Sequence, residues 1–360
     1  MKNGDSMTPG IEGYLRKKTT QANMYNAFSR THDDISIPRV EAEALAAIEK
    51  MTGERITRLR ALNENSYGFK DVNGHVTSLA VAGKNLSTVP AEIKCFSRII
   101  ELFLGSNKFR FVPEFIGKLQ ALEVLDLHDN QIQGIGPWLG DMVRLEKLNL
   151  SGNELLALPD TIGELKNLSE LDISRNSLES LPGTIGAISL LRILDASNNK
   201  LEMIPPTTWK LDRLKTLSLN NNPLDTLPEG MICLDDLQRL KLSNTNLQEI
   251  PCSFKDLQAL RELDLDHCNL EEIPSWIGAL KNLKVLKMQR NQIKTIPASI
   301  GDLKNLSRMD LAFNKITTLP HSLTKLSLKE FLLAGNPLDF GDAKIRRIIE
   351  SVRSRRKLGI

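Results

Sequence analysis

Residues 145–167 read LEKLNLSGNELLALPDTIGELKN. Leu148 and Leu150 are two apart, so they share one face of a short extended segment. Asn153 then interrupts the alternation, Leu155 and Leu158-Pro159 follow, and Ile162-Gly163 and Leu165 close the stretch. Neither a period of two nor one of 3.6 lasts long enough for an ordinary strand or helix. Such a segment cannot bury its leucines alone. The next 23 residues, LSELDISRNSLESLPGTIGAISL, follow the same plan and supply the missing surface.

The plan is L-x-x-L-x-L-x-x-N-x-L-x-x-L-P followed by a looser x-x-I-G-x-L-x-x. It starts at Val76, Ile99, Leu122, Leu145, Leu168, Leu191, Leu214, Leu237, Leu260, Leu283, Leu306 and Leu328, with ten steps of 23 residues and a last of 22. Twelve short strands stacked in parallel build one continuous core. Position 9 holds Asn107, Asn130, Asn153, Asn176, Asn199, Asn222, Asn291, Asn314 and Asn336. An amide carries donors and an acceptor, which is what the backbone needs where each strand turns inward, so these asparagines are expected to be structural. Lys84, Thr245 and Cys268 replace asparagine in three units. Thr245 and Cys268 can each still donate one bond, which predicts a local weakening without a break. Proline at position 15 fixes φ and ends the turn. The third unit has IGPW at residues 135–138 instead, which predicts an irregular outer segment there.

Together these units resemble the leucine-rich repeat family, and the LPxxIGxLxNL ending is similar to its intracellular Ras-group, scribble-like subtype. The resemblance covers Val76 to Leu338. It implies an α/β solenoid, a curved horseshoe of about twelve repeats with a parallel concave sheet. It also implies a non-enzymatic protein-binding scaffold, with small GTPases or signalling complexes as partners. Ubiquitin-ligase effectors that carry such repeats need a further catalytic cysteine domain, and only about 20 residues follow the array.

The flanks read as caps. Residues 1–35 are polar and unpatterned, an expected disordered arm. Residues 36–75 read as an N-terminal cap: a helix with Val40, Leu45, Ile48 and Met51 as its apolar stripe and Gly53 as its stop, then a hairpin-like lead-in around Asn73-Gly74. This flank resembles those of archaeal and bacterial repeat proteins. Residues 339–360 read as a basic capping helix, with Ile345, Ile348, Ile349 and Val352 inward. Lys344, Arg346, Arg347, Arg353, Arg355, Arg356 and Lys357 line its other face, a solvated surface in the plainest reading.

Net charge is +3, which does not point to nucleic acid. No apolar run of about 18 residues suggests a membrane span, and the N-terminus has no secretory apolar segment. Four cysteines, Cys95, Cys233, Cys252 and Cys268, sit singly, without the disulfide clusters that cap secreted arrays, so a cytoplasmic location is expected. Asn-x-Ser sequons at Asn85, Asn149, Asn167 and Asn305 are read as chance matches in an Asn- and Ser-rich repeat.

No phosphate loop, HExxH, GxSxG or paired CxxC is present, so no catalytic residue, metal or cofactor is assigned. Asp126, His128 and Asp129, and Asp264, Asp266, His267 and Cys268, mix ligand types, but Cys268 should point inward and both groups read as polar surface. Binding is expected on the concave positions between the framework leucines. The candidates are Phe103, Asp126, Asp172, Asp195, Lys241, Asp264, Lys287, Arg290 and Phe313. Units three to six carry mainly acids there and units seven to ten mainly bases, which suits a partner of two signs. Phe103 and Phe313 are the expected apolar anchors. A regulatory or targeting subunit of a separate enzyme, or a structural, self-associating protein, are the alternatives.

Overall fold

The computed structural model describes residues 37–228, 230 and 234–354. The expected disordered arm and residues 355–360 of the basic tail lie outside them. Thirteen strands form one open sheet in chain order. β1 (Tyr67–Val72) and β2 (His75–Val81) make an antiparallel hairpin, and Asn73 and Gly74 turn it with φ of 50° and 74°. β3 (Glu101–Phe103) to β13 (Glu330–Leu332) are three residues each and continue from β2 in parallel. The twelve parallel strands thus match the twelve units, and β1 adds an antiparallel edge.

Pairing has no stagger. Lys147, Leu148 and Asn149 of β5 (Lys147–Asn149) face Glu170, Leu171 and Asp172 of β6 (Glu170–Asp172). Equivalent repeat positions therefore lie side by side and form rows across the sheet. Inward rows make the core: Leu145, Leu148, Leu150, Leu155, Ile162 and Leu165 are all at most 1% exposed.

The outer side is a stack of one-turn 3-10 helices. Each follows the position-15 proline, as Asp160–Glu164 follows Pro159 (φ −69°, ψ 145°). Glycine beside the buried isoleucine has a packing cause. A Cβ on Gly163 would meet the Thr184 carbonyl oxygen at 2.7 Å, so only glycine lets successive turns touch. Thr161 and Thr184 donate to the Pro137 and Asp160 carbonyls of the preceding turn, at 2.9 and 2.6 Å. The irregular segment expected at IGPW is not there. Pro137–Asp141 forms the same 3-10 turn in the same register, because proline is also accepted at the first helical position and Gly136 takes the extended φ and ψ.

The asparagine row forms a buried bond network between coils. Asn153 Nδ2 donates to the Leu127 and Leu150 carbonyls, both at 3.0 Å, and its Oδ1 accepts the Ile132 N–H at 3.0 Å. Thr245 and Cys268 keep half of this. The hydroxyl donates to Leu242 O at 2.9 Å and the thiol to the same oxygen at 3.2 Å, and the two side chains bond each other at 3.4 Å, but neither takes the leucine N–H that asparagine accepts from the preceding coil. The amides of Leu224 and Leu247 then lack an acceptor among the described residues.

Both ends are covered by helices. α1 (Arg39–Thr52) stops at Gly53 in the left-handed region, φ 71°. Its buried stripe is Glu41, Ala44, Leu45 and Ile48, whereas Val40 and Met51, assigned inward from sequence, are 51% and 40% exposed. Glu41 takes the place of an apolar residue because the first coil offers it two donors, the Val76 N–H at 2.8 Å and His75 Nδ1 at 3.0 Å. α2 (Ala343–Ser354) closes the far end with Ile345, Ile348 and Val352 buried. Lys344, Arg346 and Arg347 face solvent.

Candidate functional site: the concave face

The unstaggered register turns each variable repeat position into a row of side chains. Row 5 runs down the middle of the concave sheet. Asp126 and Asp264 there are 6% and 8% exposed, and Asp172, Asp195, Lys241 and Lys287 are half-buried. Phe103 is 9% exposed, so it packs into the sheet and offers a partner little area, unlike an anchor. Arg290 and Phe313 stand apart from the others, exposed in row 8.

Row 8 was not recognised as special from sequence. All twelve of its residues, from Gly83 to Gly335, have φ between 47° and 72°. The chain turns out of the sheet here, and in the eleven units that have a following coil the N–H still reaches it, as Arg290 N does to Ala312 O at 2.8 Å. The composition held the signal: three glycines, three asparagines and an aspartate tolerate this conformation. Arg175, Arg290 and Phe313 adopt it against their preference, and each makes a contact across coils. Arg290 lies 5.3 Å from the Phe313 ring centre, and that ring covers Gly335. Arg175 reaches over Gly152 to bond Asp129 two coils away, and a side chain on Gly152 would collide with both. Asn244 donates to Asn221 and Asn221 to Asn198, each at 2.9 Å.

Charges on the face divide into paired and unpaired. Lys147 pairs with Glu170 at 2.8 Å and Arg308 with Glu330 at 3.2 Å. Lys287 sits 3.0 Å from Asp264 and 3.5 Å from Glu262. Burial pulls the Lys287 ammonium down, but the Asp264 bond and the two carboxylate charges outweigh it and raise its pKa. Burial likewise lifts Asp172, against the bonds it accepts from Ser174 and with the help of nearby Asp195. Asp266 is lifted by burial and by Asp264, with the Gln289 side chain opposing. Lys215, Arg239, Lys241, Arg261 and Lys284 have no ionic partner among the described residues.

Asp126 Oδ1 accepts from His128 Nδ1 at 2.5 Å, and Ser106 Oγ lies 3.3 Å from His128 Nε2. The order hydroxyl, imidazole, carboxylate is that of a nucleophilic triad, but Ser106 stands on the exposed row-8 ridge. The bond to Asp126 holds the His128 pKa above its ordinary value, against burial, with Asp129 adding in the same sense. A raised folded pKa adds stability below the unfolded value of about 6.5, lost as pH climbs through the folded value. An NMR titration should place His128 above that value and return it there in Asp126→Asn; an unshifted His128 would refute the pairing.

No group of three or more His, Cys, Asp or Glu among the described residues could hold a metal ion. Cys268 is fully buried, and burial pushes its thiol up, which makes it unreactive. Three of the four sequon amides are engaged: Asn149 bonds Asp126, Asn167 bonds Val143 O and Asn305 bonds Lys281 O, while Asn85 is exposed. No helix among the described residues is long and apolar enough to cross a membrane.

Three family models match successive parts of the chain: a leucine rich repeat over residues 97–155, the leucine-rich repeats of leucine-rich repeat and WD repeat-containing protein 1 over 139–245, and a leucine-rich repeat region over 253–334. No curated protein matches in sequence. Among solved structures, a leucine-rich-repeat protein of Leptospira interrogans is 28% identical with a TM-score of 0.57, over 76% of this chain and 94% of that one. The ectodomain of the Arabidopsis thaliana membrane receptor kinase GASSHO1/SCHENGEN3, solved with CASPARIAN STRIP INTEGRITY FACTOR 2, is 25% identical with a TM-score of 0.59. That match covers 82% of this chain but 44% of the ectodomain. A Listeria monocytogenes internalin, 18% identical, shares the fold with a TM-score of 0.63 over 86% of this chain and 92% of its own. Matching models along the array, the unstaggered coils and the asparagine rows place this chain in the leucine-rich-repeat family.

Proposed function

We propose that the chain is a non-enzymatic, intracellular protein-binding scaffold that receives its partner on the concave face. The observation that carries this is the separation of a constant frame from variable rows. Framework positions are buried and alike from coil to coil, while rows 2, 3, 5, 7 and 8 change in character along the array and leave charges without partners among the described residues. Proteins of this family commonly bind other proteins, and the Arabidopsis relative was solved in complex with CASPARIAN STRIP INTEGRITY FACTOR 2. The Ras-group repeat ending favours a small-GTPase signalling complex as the setting. The free thiols of Cys95, Cys252 and Cys268 suit a reducing compartment.

The test blocks the face with bulk. Asn149→Arg, Asp195→Arg and Ser218→Arg together should abolish capture of the partner from an extract of the source cells. Lys118→Glu, Lys210→Glu and Lys255→Glu, on the outer turns, should not. Equal capture by both variants would remove the concave face from the reading.

A further inference from the structure

Row 2 lies where each coil enters its strand, along one margin of the concave sheet. Its residues are bonded directly to one another through the backbone. Glu146 N donates to Glu123 O, Ser169 to Glu146, Arg192 to Ser169, Lys215 to Arg192, Gln238 to Lys215, Arg261 to Gln238, Lys284 to Arg261, Ser307 to Lys284 and Lys329 to Ser307, all at 2.7–2.9 Å. The row is therefore contiguous and in register. It opens with the uncharged Thr77 and Ile100, carries Glu123 and Glu146, and changes sign at Ser169. From Arg192 to Lys329 it holds five cations, one glutamine, one serine and no acid.

All five cations, Arg192, Lys215, Arg261, Lys284 and Lys329, are exposed, and none has an ionic or hydrogen-bonding side-chain partner among the described residues. Carboxylates are close by but committed: Glu262 and Asp264 hold Lys287, and Glu330 holds Arg308. Arg192 beside Lys215, and Arg261 beside Lys284, put like charges on neighbouring strands, where they cost stability. The chain as a whole is nearly balanced, with 47 bases and 44 acids, so this segregation is not a by-product of composition. A fold gains nothing from such a row; a ligand of opposite sign does.

We infer that the cationic stretch of row 2 is the docking track for an extended acidic peptide segment of a partner protein. This rests on the scaffold reading above and narrows it. Six strand steps at about 4.8 Å make the track roughly 29 Å long, the span of about nine extended residues. Any basic flank of the peptide would lie toward Glu123 and Glu146, which fixes its direction. A peptide fits better than a nucleic acid. Peptide N–H groups can donate to the neighbouring carboxylates of Glu262, Asp264 and Glu330, to which a phosphate backbone offers no donor. The exposed aromatic of these coils, Phe313, stands in row 8 across the sheet, so no base-stacking platform borders the track.

The probe is a fluorescein-labelled nona-glutamate peptide, read by anisotropy against the full chain at several salt concentrations. Binding should be salt-sensitive and should weaken roughly tenfold or more at low salt in Lys215→Glu, Arg261→Glu, Lys284→Glu. The neutral set Lys215→Gln, Arg261→Gln, Lys284→Gln should fall between, and circular dichroism should show all variants folded. Lys118→Glu, Lys210→Glu, Lys255→Glu changes net charge equally on the outer turns and should bind as the parent does. Equal weakening by both glutamate sets would overturn the track, as would no binding at all. A single-stranded oligonucleotide that binds more tightly than the peptide and is lost in the same row variant would make it a nucleic-acid site instead. If the row variants retain a protein partner that the row-5 blocking variant loses, the track fails while the scaffold reading stands.

Discussion

Asn222→Ala is expected to destabilise the array by roughly 3–5 kcal/mol, because three buried backbone groups lose their partners at about 1–3 kcal/mol each. Asn222 is 2% exposed. Its Oδ1 accepts the Leu201 N–H at 3.0 Å, and its Nδ2 donates to Ala196 O at 3.0 Å and Leu219 O at 2.8 Å. The chain contains its own weaker version of this change. Around Thr245 and Cys268 the carbonyl bonds persist, but the Leu224 and Leu247 amides have no acceptor among the described residues. Hydrogen exchange should therefore be faster at Leu224 and Leu247 than at Leu178 and Leu201, which asparagines hold at 3.0 Å. Urea unfolding of Asn222→Ala with a loss under about 1 kcal/mol would mean that the row does not join the coils.

Ile48→Asp should release the N-terminal cap. Ile48 is fully buried between α1 and the first coil, and an unpaired carboxylate there costs roughly 3–5 kcal/mol. Release would bare Ile93, Phe96 and the rest of the first coil, as happens when a repeat array loses its end. The readouts are dye binding to exposed apolar surface and a lowered melting temperature. Val40→Asp and Met51→Asp are the controls. Both positions face solvent, so each should change stability by no more than about 0.5 kcal/mol. If Val40→Asp were as damaging as Ile48→Asp, the helix would be docked on the face first expected from sequence.

That helix shows where sequence patterning stops. A stripe assigned by hydrophobicity takes Val40 and Met51 inward and leaves Glu41 out. The real stripe is set by what the first coil offers, and it offers the Val76 N–H to a carboxylate. The framework was legible because twelve repetitions leave few ways to bury the same leucines. IGPW misled because proline one position late looks like a broken rule, though the 3-10 turn accepts it at either place. The concave face was legible as a list of positions but not as rows. Registering the strands without stagger is what buries Phe103, pairs Lys287 with Asp264 and leaves the row-2 cations free. Row 8 looked like ordinary variable surface because Arg175, Arg290 and Phe313 hid a left-handed position that the glycines and asparagines mark.

The claim that matters most is that recognition happens inside the curve. A photo-reactive amino acid at Lys241, half-buried in row 5, and another at Lys255, exposed on an outer turn, separate the two sides of the coil. Irradiation in an extract of the source cells should yield a defined cross-linked protein from position 241 and none from position 255. The same protein cross-linked from 255 alone would contradict the account and move the binding surface to the outer side.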